Sequence, residues 1–166
     1  MGVGSFIYHA TNNYLTQFLD FVGMFLLSSF MLSTQFLRIK KQNPRNYKTG
    51  FWWLMFIQTV IFWVLTITEI AAIQLMIAAA IVPMIAGEVW ARKVEGMLSK
   101  TKFLWIGAFF MLVAQVFSLL DNKGIWCEPH NVFLHGHALW HILSGIGMLL
   151  FGIHLHRVYK DILKAY

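Results

Sequence analysis

Five side chains in the sequence are of types that bind metals or move protons, and four of them form pairs at helical spacing. Ser5 and His9 are four residues apart near the start of the chain, and His137 and His141 are four residues apart near its end. On an α-helix, side chains four residues apart share one face. The fifth residue, Asp20, lies in an apolar stretch, where a carboxylate needs a cation, a metal ion or a proton.

The chemistry of these residues is that of a catalytic metal site. Three imidazoles with a fourth position open to water are the ligand set of a catalytic zinc ion. His9, His137 and His141 could supply that set, and a nearby carboxylate, Asp20, could orient the water or take its proton. The alternative is that these residues are polar bridges between helices, with Asp20 in a structural hydrogen bond.

The composition indicates where such a site must lie. The chain has 166 residues, of which 58% are hydrophobic and 12% charged, whereas an average soluble domain is about 45–50% apolar and about 25% charged. A soluble globular domain and a disordered chain are therefore both excluded. A helix needs about 20 mostly apolar residues to cross a membrane. Five segments meet this requirement: Tyr14–Leu37, Phe51–Thr68, Ala71–Trp90, Phe103–Leu120 and Leu134–His156.

These segments predict an all-α fold, a polytopic transmembrane helical bundle. It has five spans and an N-terminal helical stub within residues 1–10, and residues 1–166 form a single domain. The second and third spans are so close, around Glu69–Ile70, that we expect a short helical hairpin. Pro83 lies inside the third span, where it predicts a kink.

The basic residues predict the orientation of the bundle. With five spans, 12 of the 13 Lys and Arg residues fall on one membrane face, and only Lys123 falls on the other. The positive-inside rule then places the C-terminus in the cytoplasm. The net charge of +6 needs no nucleic-acid partner. With a rise of 1.5 Å per residue, Asp20 and His141 lie about 9–11 Å below the non-cytoplasmic surface of the membrane. The site is therefore expected in the outer (periplasmic or lumenal) half of the membrane.

The beginning of the chain and its single cysteine raise a further expectation. Residues 1–10 have no basic region and no cleavage site of a signal peptide, and they are typical of the last turns of a helix. We therefore expect an N-terminal portion to be missing. Cys127 is the one cysteine of the chain. It is either a free thiol or the partner of a cysteine in that portion.

Several motifs together resemble the alkaline ceramidase family, which belongs to a superfamily of membrane hydrolases that includes the progestin and adiponectin receptors. The matching motifs are Gly2-Val3-Gly4-Ser5-Phe6 with His9, Asp20 eleven residues later, Asp121-Asn122 with Cys127 and Pro129, His137-Ala138-Leu139-Trp140-His141, and Gly145-Ile146-Gly147. The resemblance covers the whole chain.

The resemblance implies a seven-helix fold with a buried zinc ion held by His9, His137 and His141. It implies that Asp20 and Ser5 hold the zinc-bound water and the substrate carbonyl. The substrate would be a ceramide-like lipid, cleaved at its amide to a fatty acid and a sphingoid base. Relative to that fold the chain has five of seven helices and lacks the first helix and most of the second. The family's acidic calcium-binding cluster has no counterpart in the sequence, so a calcium site is not expected.

Other functions remain open at this point. A related hydrolase could cleave another N-acyl lipid or an ester, and a receptor-like membrane protein could hold a structural zinc. A haem-binding electron carrier fits less well, because two ligands on one helix face suit a metal ion better than the two sides of a haem.

The remaining polar residues have structural interpretations. His135 lies about 200° from His137 on a helix and is expected outside the ligand set. His130 is expected in a loop, and His154 and His156 at the membrane interface. Glu69 and Glu88 are expected to reach headgroups or water at span ends, and three glutamines to hydrogen-bond between helices. These are Gln58, Gln74 and Gln115.

Overall fold

The described part of the chain consists of α-helices and short connections, as the apolar segments predicted. The computed structural model describes residues 2–68, 73–96, 101–126 and 136–165 and contains no β-strand within them. Within these ranges six α-helices follow one another: α1 (Gly2–Thr11), α2 (Tyr14–Ile39), α3 (Lys48–Ile67), α4 (Ile73–Val94), α5 (Lys102–Asn122) and α6 (Gly136–Ala165). A 3-10 turn, Pro44–Asn46, lies between α2 and α3. The all-α prediction is confirmed.

Five of these helices, α2 to α6, are long and apolar enough to cross a membrane. The ends of α2 to α5 lie within a few residues of the predicted spans, and α1 corresponds to the predicted N-terminal stub. Helix α6 begins near the predicted position but continues beyond His156 to Ala165. Pro83 lies inside α4, which continues through it. The apolar helices indicate an integral membrane protein. The connection at Glu69–Ile70 and the residues Cys127, His130 and His135 lie outside the described residues.

The chain divides into two compact units, Met1–Met97 and Leu98–Tyr166. In the first unit, α2 packs against α1, α3 and α4. Aromatic rings fill the contact between α2 and α3: Phe18, Phe21 and Phe25 all lie near Phe62, with ring centroids 5.4–6.4 Å apart. Phe25 and Phe62 are buried. The long helix α2 is thus the centre of this unit.

A polar contact also joins α2 to α3. The Ser28 hydroxyl donates to Gln58 Oε1 at 2.7 Å, and Gln58 Nε2 donates to the Ser29 hydroxyl at 2.6 Å. The predicted interhelical hydrogen bond of Gln58 is confirmed. The same prediction is wrong for Gln115, whose side-chain nitrogen and oxygen have no hydrogen-bond partner within the described residues. The side chain of Gln74 is not described.

Four charged side chains join α2 to α4 in a buried network. Arg38 contacts Glu88 at 2.8 Å and Glu95 at 2.7 Å, and Arg92 contacts Glu88 at 2.9 Å. Glu88 is 1% exposed, so the prediction that it reaches headgroups or water is wrong. Its carboxylate satisfies two guanidinium groups instead. Gln35 bonds to the Met84 carbonyl oxygen, and Arg38, one turn later in α2, bonds to Glu88 and to Glu95 just after α4, so the two helices run in the same direction.

Helix α3 leaves most of its apolar surface uncovered. Its exposed large hydrophobic residues include Trp52, Trp53, Phe56, Val64 and Ile67, whereas Phe62 is buried against α2. A soluble protein rarely exposes so continuous an apolar surface. This face therefore supports contact between α3 and the hydrocarbon of a membrane.

In the second unit, α5 and α6 approach closely at a pair of glycines. A Cβ added to Gly107 would lie 3.1 Å from the Gly147 carbonyl oxygen, and one added to Gly147 would lie 3.1 Å from the Gly107 oxygen. Small residues allow membrane helices to pack backbone against backbone in this way. Phe151, which is fully buried, and Met111 fill the space beside this crossing. The crossing determines how the two helices, and the residues at their ends, are aligned.

Candidate metal centre

In the first unit, a tight turn reverses the chain between α1 and α2 and holds His9 at the end of α1. Asn12 has a φ of +47°, a left-handed conformation that Asn tolerates better than most residues. The next residue, Asn13, caps α2 by accepting a hydrogen bond from the Thr16 N–H at 3.0 Å. The Thr11 hydroxyl bridges the two helices by donating to the Thr16 hydroxyl at 2.8 Å. Helix α1 therefore folds back along α2.

The close approach of α1 to α2 is centred on Gly4. A Cβ added there would collide with the Leu19 carbonyl oxygen and would lie 2.8 Å from the Leu19 carbonyl carbon and 3.3 Å from the Asp20 nitrogen. Only glycine permits this backbone contact. It brings the part of α1 that carries Ser5 against the turn of α2 that carries Asp20.

The side chains of these candidate residues are accessible to different degrees. Ser5 and Asp20 are half-buried, whereas His9 is exposed. The imidazole of His9 contacts the ring of Tyr8, with centroids 5.1 Å apart. Asp20 and His9 also take part in other polar or ring contacts within the protein. Both groups are thus held by neighbours while they retain access to a ligand or to water.

In the second unit, His137 and His141 turn their Nε2 atoms towards each other. These two nitrogens are 3.1 Å apart, and the rings are nearly perpendicular with centroids 4.7 Å apart. Two imidazole nitrogens in a tetrahedral zinc site, each at 2.0–2.1 Å from the metal, are about 3.3 Å apart. The pair can therefore share either one proton or one metal ion without a change of helix geometry.

Trp140 holds both imidazoles from the same side of α6. Its ring is stacked on His137 with centroids 5.8 Å apart, and it meets His141 at a steep angle with centroids 4.4 Å apart. Rings packed in this way limit the side-chain rotamers of both histidines. The histidine pair is thus positioned by the spacing on the helix and by an aromatic neighbour.

A carboxylate that the spacing argument did not include lies next to His137. Asp121, at the end of α5, has its Oδ2 atom 3.7 Å from His137 Nδ1. Gly136 makes this possible, because a Cβ there would lie 3.0 Å from the Asp121 Cβ and 3.0 Å from the Trp126 carbonyl oxygen. The motif Asp121-Asn122 was visible in the sequence, but no spacing rule links it to a helix that starts 14 residues later.

The candidate residues thus belong to two groups, each within one unit. Ser5 and His9 share α1 and lie against α2 with its Asp20, and His137 and His141 form a pair on α6 with Asp121 beside it. The imidazole pair offers two nitrogens that can ligate one metal ion.

Comparison with known proteins adds one decisive match. The family model described as Ceramidase matches residues 1–162. The chain belongs to the Ceramidase family. This membership supports a membrane enzyme that hydrolyses ceramide. No curated protein and no solved structure matches the chain significantly.

Membership in the Ceramidase family also gives the apolar helices a context. The substrate ceramide is a lipid, and an enzyme that acts on it works on a molecule dissolved in the membrane. The five candidate spans of this family member fit that requirement.

Proposed function

We propose that the protein is a zinc-dependent amide hydrolase that cleaves ceramide-like lipids to a fatty acid and a sphingoid base. Its zinc ligands are His9, His137 and His141, and Asp20 and Ser5 act on the substrate. The proposal is carried by the match to the Ceramidase family over residues 1–162 together with the convergent Nε2 atoms of His137 and His141.

The donor set suits zinc. In the proposed site, each of the three histidines would offer one imidazole nitrogen to the same metal ion. Neutral imidazole is a preferred ligand of zinc, and three such ligands leave one coordination position open. When bound, zinc supplies a water that ionises near neutral pH, so that hydroxide is available as a nucleophile.

The protein residues of the site would control protons and orient the substrate. Asp20 accepts the proton of the attacking water and passes it to the nitrogen of the departing amine, which then leaves as the neutral sphingoid base. The Ser5 hydroxyl donates a hydrogen bond to the substrate carbonyl oxygen, where negative charge develops. The contact of α1 with α2 at Gly4 keeps the segments of Ser5 and Asp20 together.

Zinc binding can be tested by removing one imidazole at a time. In the His137→Ala and His141→Ala proteins, we expect zinc no longer to co-purify at one ion per chain, and ceramide hydrolysis to fall below detection. Metal content is measured by plasma mass spectrometry and fatty acid release by chromatography. His156→Ala is the matched control, because His156 is exposed near the other end of the same helix, and it should behave as the parent does.

Three results would contradict the proposal. Hydrolysis by His141→Ala at the parental rate would exclude the assigned ligands. A parent that binds zinc but releases no fatty acid from N-acyl lipids would favour a structural zinc in a receptor-like protein. Release from ester lipids alone would assign a different lipid bond as the substrate.

A further inference from the structure

We propose that Asp121 is a positioning residue that holds His137 in the tautomer and orientation required for metal binding. This inference rests on the proposed zinc site. It concerns a residue on α5 that takes no part in the chemistry proposed above and that contacts a ligand instead of the substrate. Its basis is the geometry of the contact between the end of α5 and the start of α6.

The two nitrogens of the His137 ring face different partners. Nε2 lies 3.1 Å from His141 Nε2, and Nδ1 lies 3.7 Å from Asp121 Oδ2. A movement of less than about 1 Å brings the second contact into the 2.7–3.2 Å range of an N–H···O hydrogen bond. One nitrogen is therefore directed to the metal position and the other to a carboxylate.

A carboxylate at this position has two effects on the histidine. It favours the neutral tautomer with the proton on Nδ1, which leaves the Nε2 lone pair free for a metal. It also makes the imidazole a more basic ligand and fixes the rotation of the ring. Metal-bound histidines in proteins almost always donate their other ring N–H to a carboxylate, a backbone carbonyl or water, and removal of such a partner typically weakens metal binding about 10–100-fold.

The surroundings of Asp121 indicate that the contact is built into the fold. The Asp121 side chain is only 14% exposed, whereas the His137 side chain is 41% exposed, so the carboxylate is held by the protein while the imidazole stays accessible. The start of α6 packs so closely on Asp121 that a Cβ added to Gly136 would lie only 3.0 Å from the Asp121 Cβ. Trp140 stacks on His137 and limits its rotation. The carboxylate and the indole thus restrain the same ring.

The decisive experiment measures zinc affinity of the purified full chain in detergent by competition with a chelating dye. We expect Asp121→Ala to weaken zinc binding about 10–100-fold. Asp121→Asn, which keeps a hydrogen-bond acceptor but loses the charge, should weaken binding less. Asp161→Ala removes a carboxylate about 36 Å further along α6 and should leave the affinity unchanged.

A second measurement separates positioning from a merely structural role. In zinc-free protein labelled with ¹⁵N-histidine, the parental His137 should show the proton on Nδ1, and His137→Gln assigns its signals. Asp121→Ala should move the proton towards Nε2, whereas Asp121→Asn should restore the parental tautomer. If Asp121 only joined α5 to α6, the Asp121→Ala substitution would leave the His137 tautomer unchanged.

The outcomes are distinguishable. Parental zinc affinity in Asp121→Ala, or an unchanged His137 tautomer in that variant, would overturn the inference while leaving the zinc site intact. If circular dichroism shows that Asp121→Ala is unfolded, Asp121→Asn decides: weaker binding supports the inference, and parental affinity overturns it. A parent that binds no zinc would instead refute the proposed function.

Discussion

At the scale of single residues, one turn of helix is enough to bring His137 and His141 into register. Their Nε2 atoms converge to 3.1 Å because helical spacing alone puts both imidazoles on one face. The sequence could predict this pair because both residues lie on one element. It could not predict the contact between Asp121 and His137, which depends on how α5 and α6 pack at Gly136.

A prediction at this scale concerns the proton of the reaction. Asp20→Asn should retain zinc at the parental stoichiometry, because Asp20 is not among the proposed ligands. It should lower the rate constant for ceramide hydrolysis about 10²–10⁴-fold, since an amide cannot accept the proton of the attacking water. Zinc content and single-turnover fatty acid release measure the two effects. Asp161→Asn serves as the carboxylate control, and loss of zinc from Asp20→Asn would show that Asp20 is a ligand.

At the scale of helices, hydropathy predicts which segments are helical but does not predict which side chains join one helix to another. The ends of α2 and α5 fall within a few residues of the predicted spans, because burial in hydrocarbon depends on local composition. The sequence pattern predicts that charged residues at span ends lie at the membrane interface, and it gives no sign that Arg38 and Glu88 form a buried contact. These two residues are 50 positions apart in the sequence, and only the packing of α2 on α4 brings them together.

The network between α2 and α4 yields a stability prediction. Arg38→Ala leaves the carboxylates of Glu88 and Glu95 without their shared guanidinium. Removing one partner of a buried ion pair costs about 3–5 kcal/mol. The free energy of unfolding, measured by denaturant titration in mixed micelles, should fall by about that amount.

The control for this prediction is an exposed basic residue on the partner helix, α4. Lys93 adjoins Arg92 in α4 but is exposed, so Lys93→Ala should change the free energy by less than about 0.5 kcal/mol. Equal effects of Arg38→Ala and Lys93→Ala would mean that the network does not stabilise the contact of α2 with α4.

At the scale of the whole molecule, the buried network neutralises part of the basic charge on which the predicted orientation depends, but the predicted orientation stays the same. Arg38 and Arg92 belong to the basic residues between the spans, yet their charges are offset by Glu88 and Glu95 within the protein. The remaining basic residues on the predicted cytoplasmic face include exposed ones: Lys40, Lys41, Arg45, Lys48, Lys93, Lys102, Arg157 and Lys160. The parallel course of α2 and α4 agrees with their being the first and third spans.

The orientation itself can be tested with two exposed positions that the topology assigns to opposite faces. In a Cys127→Ser background, Lys123→Cys should react with a membrane-impermeant maleimide in intact cells, whereas Arg45→Cys should react only after permeabilisation. The reason is electrostatic: basic segments are retained in the cytoplasm, and the segment after α5 carries the single Lys123 against several lysines and arginines elsewhere. The reverse labelling pattern would place the basic face outside. Because the histidine pair lies at the start of α6 near residue 123 in the same unit, that result would also move the proposed active site to the cytoplasmic half of the membrane.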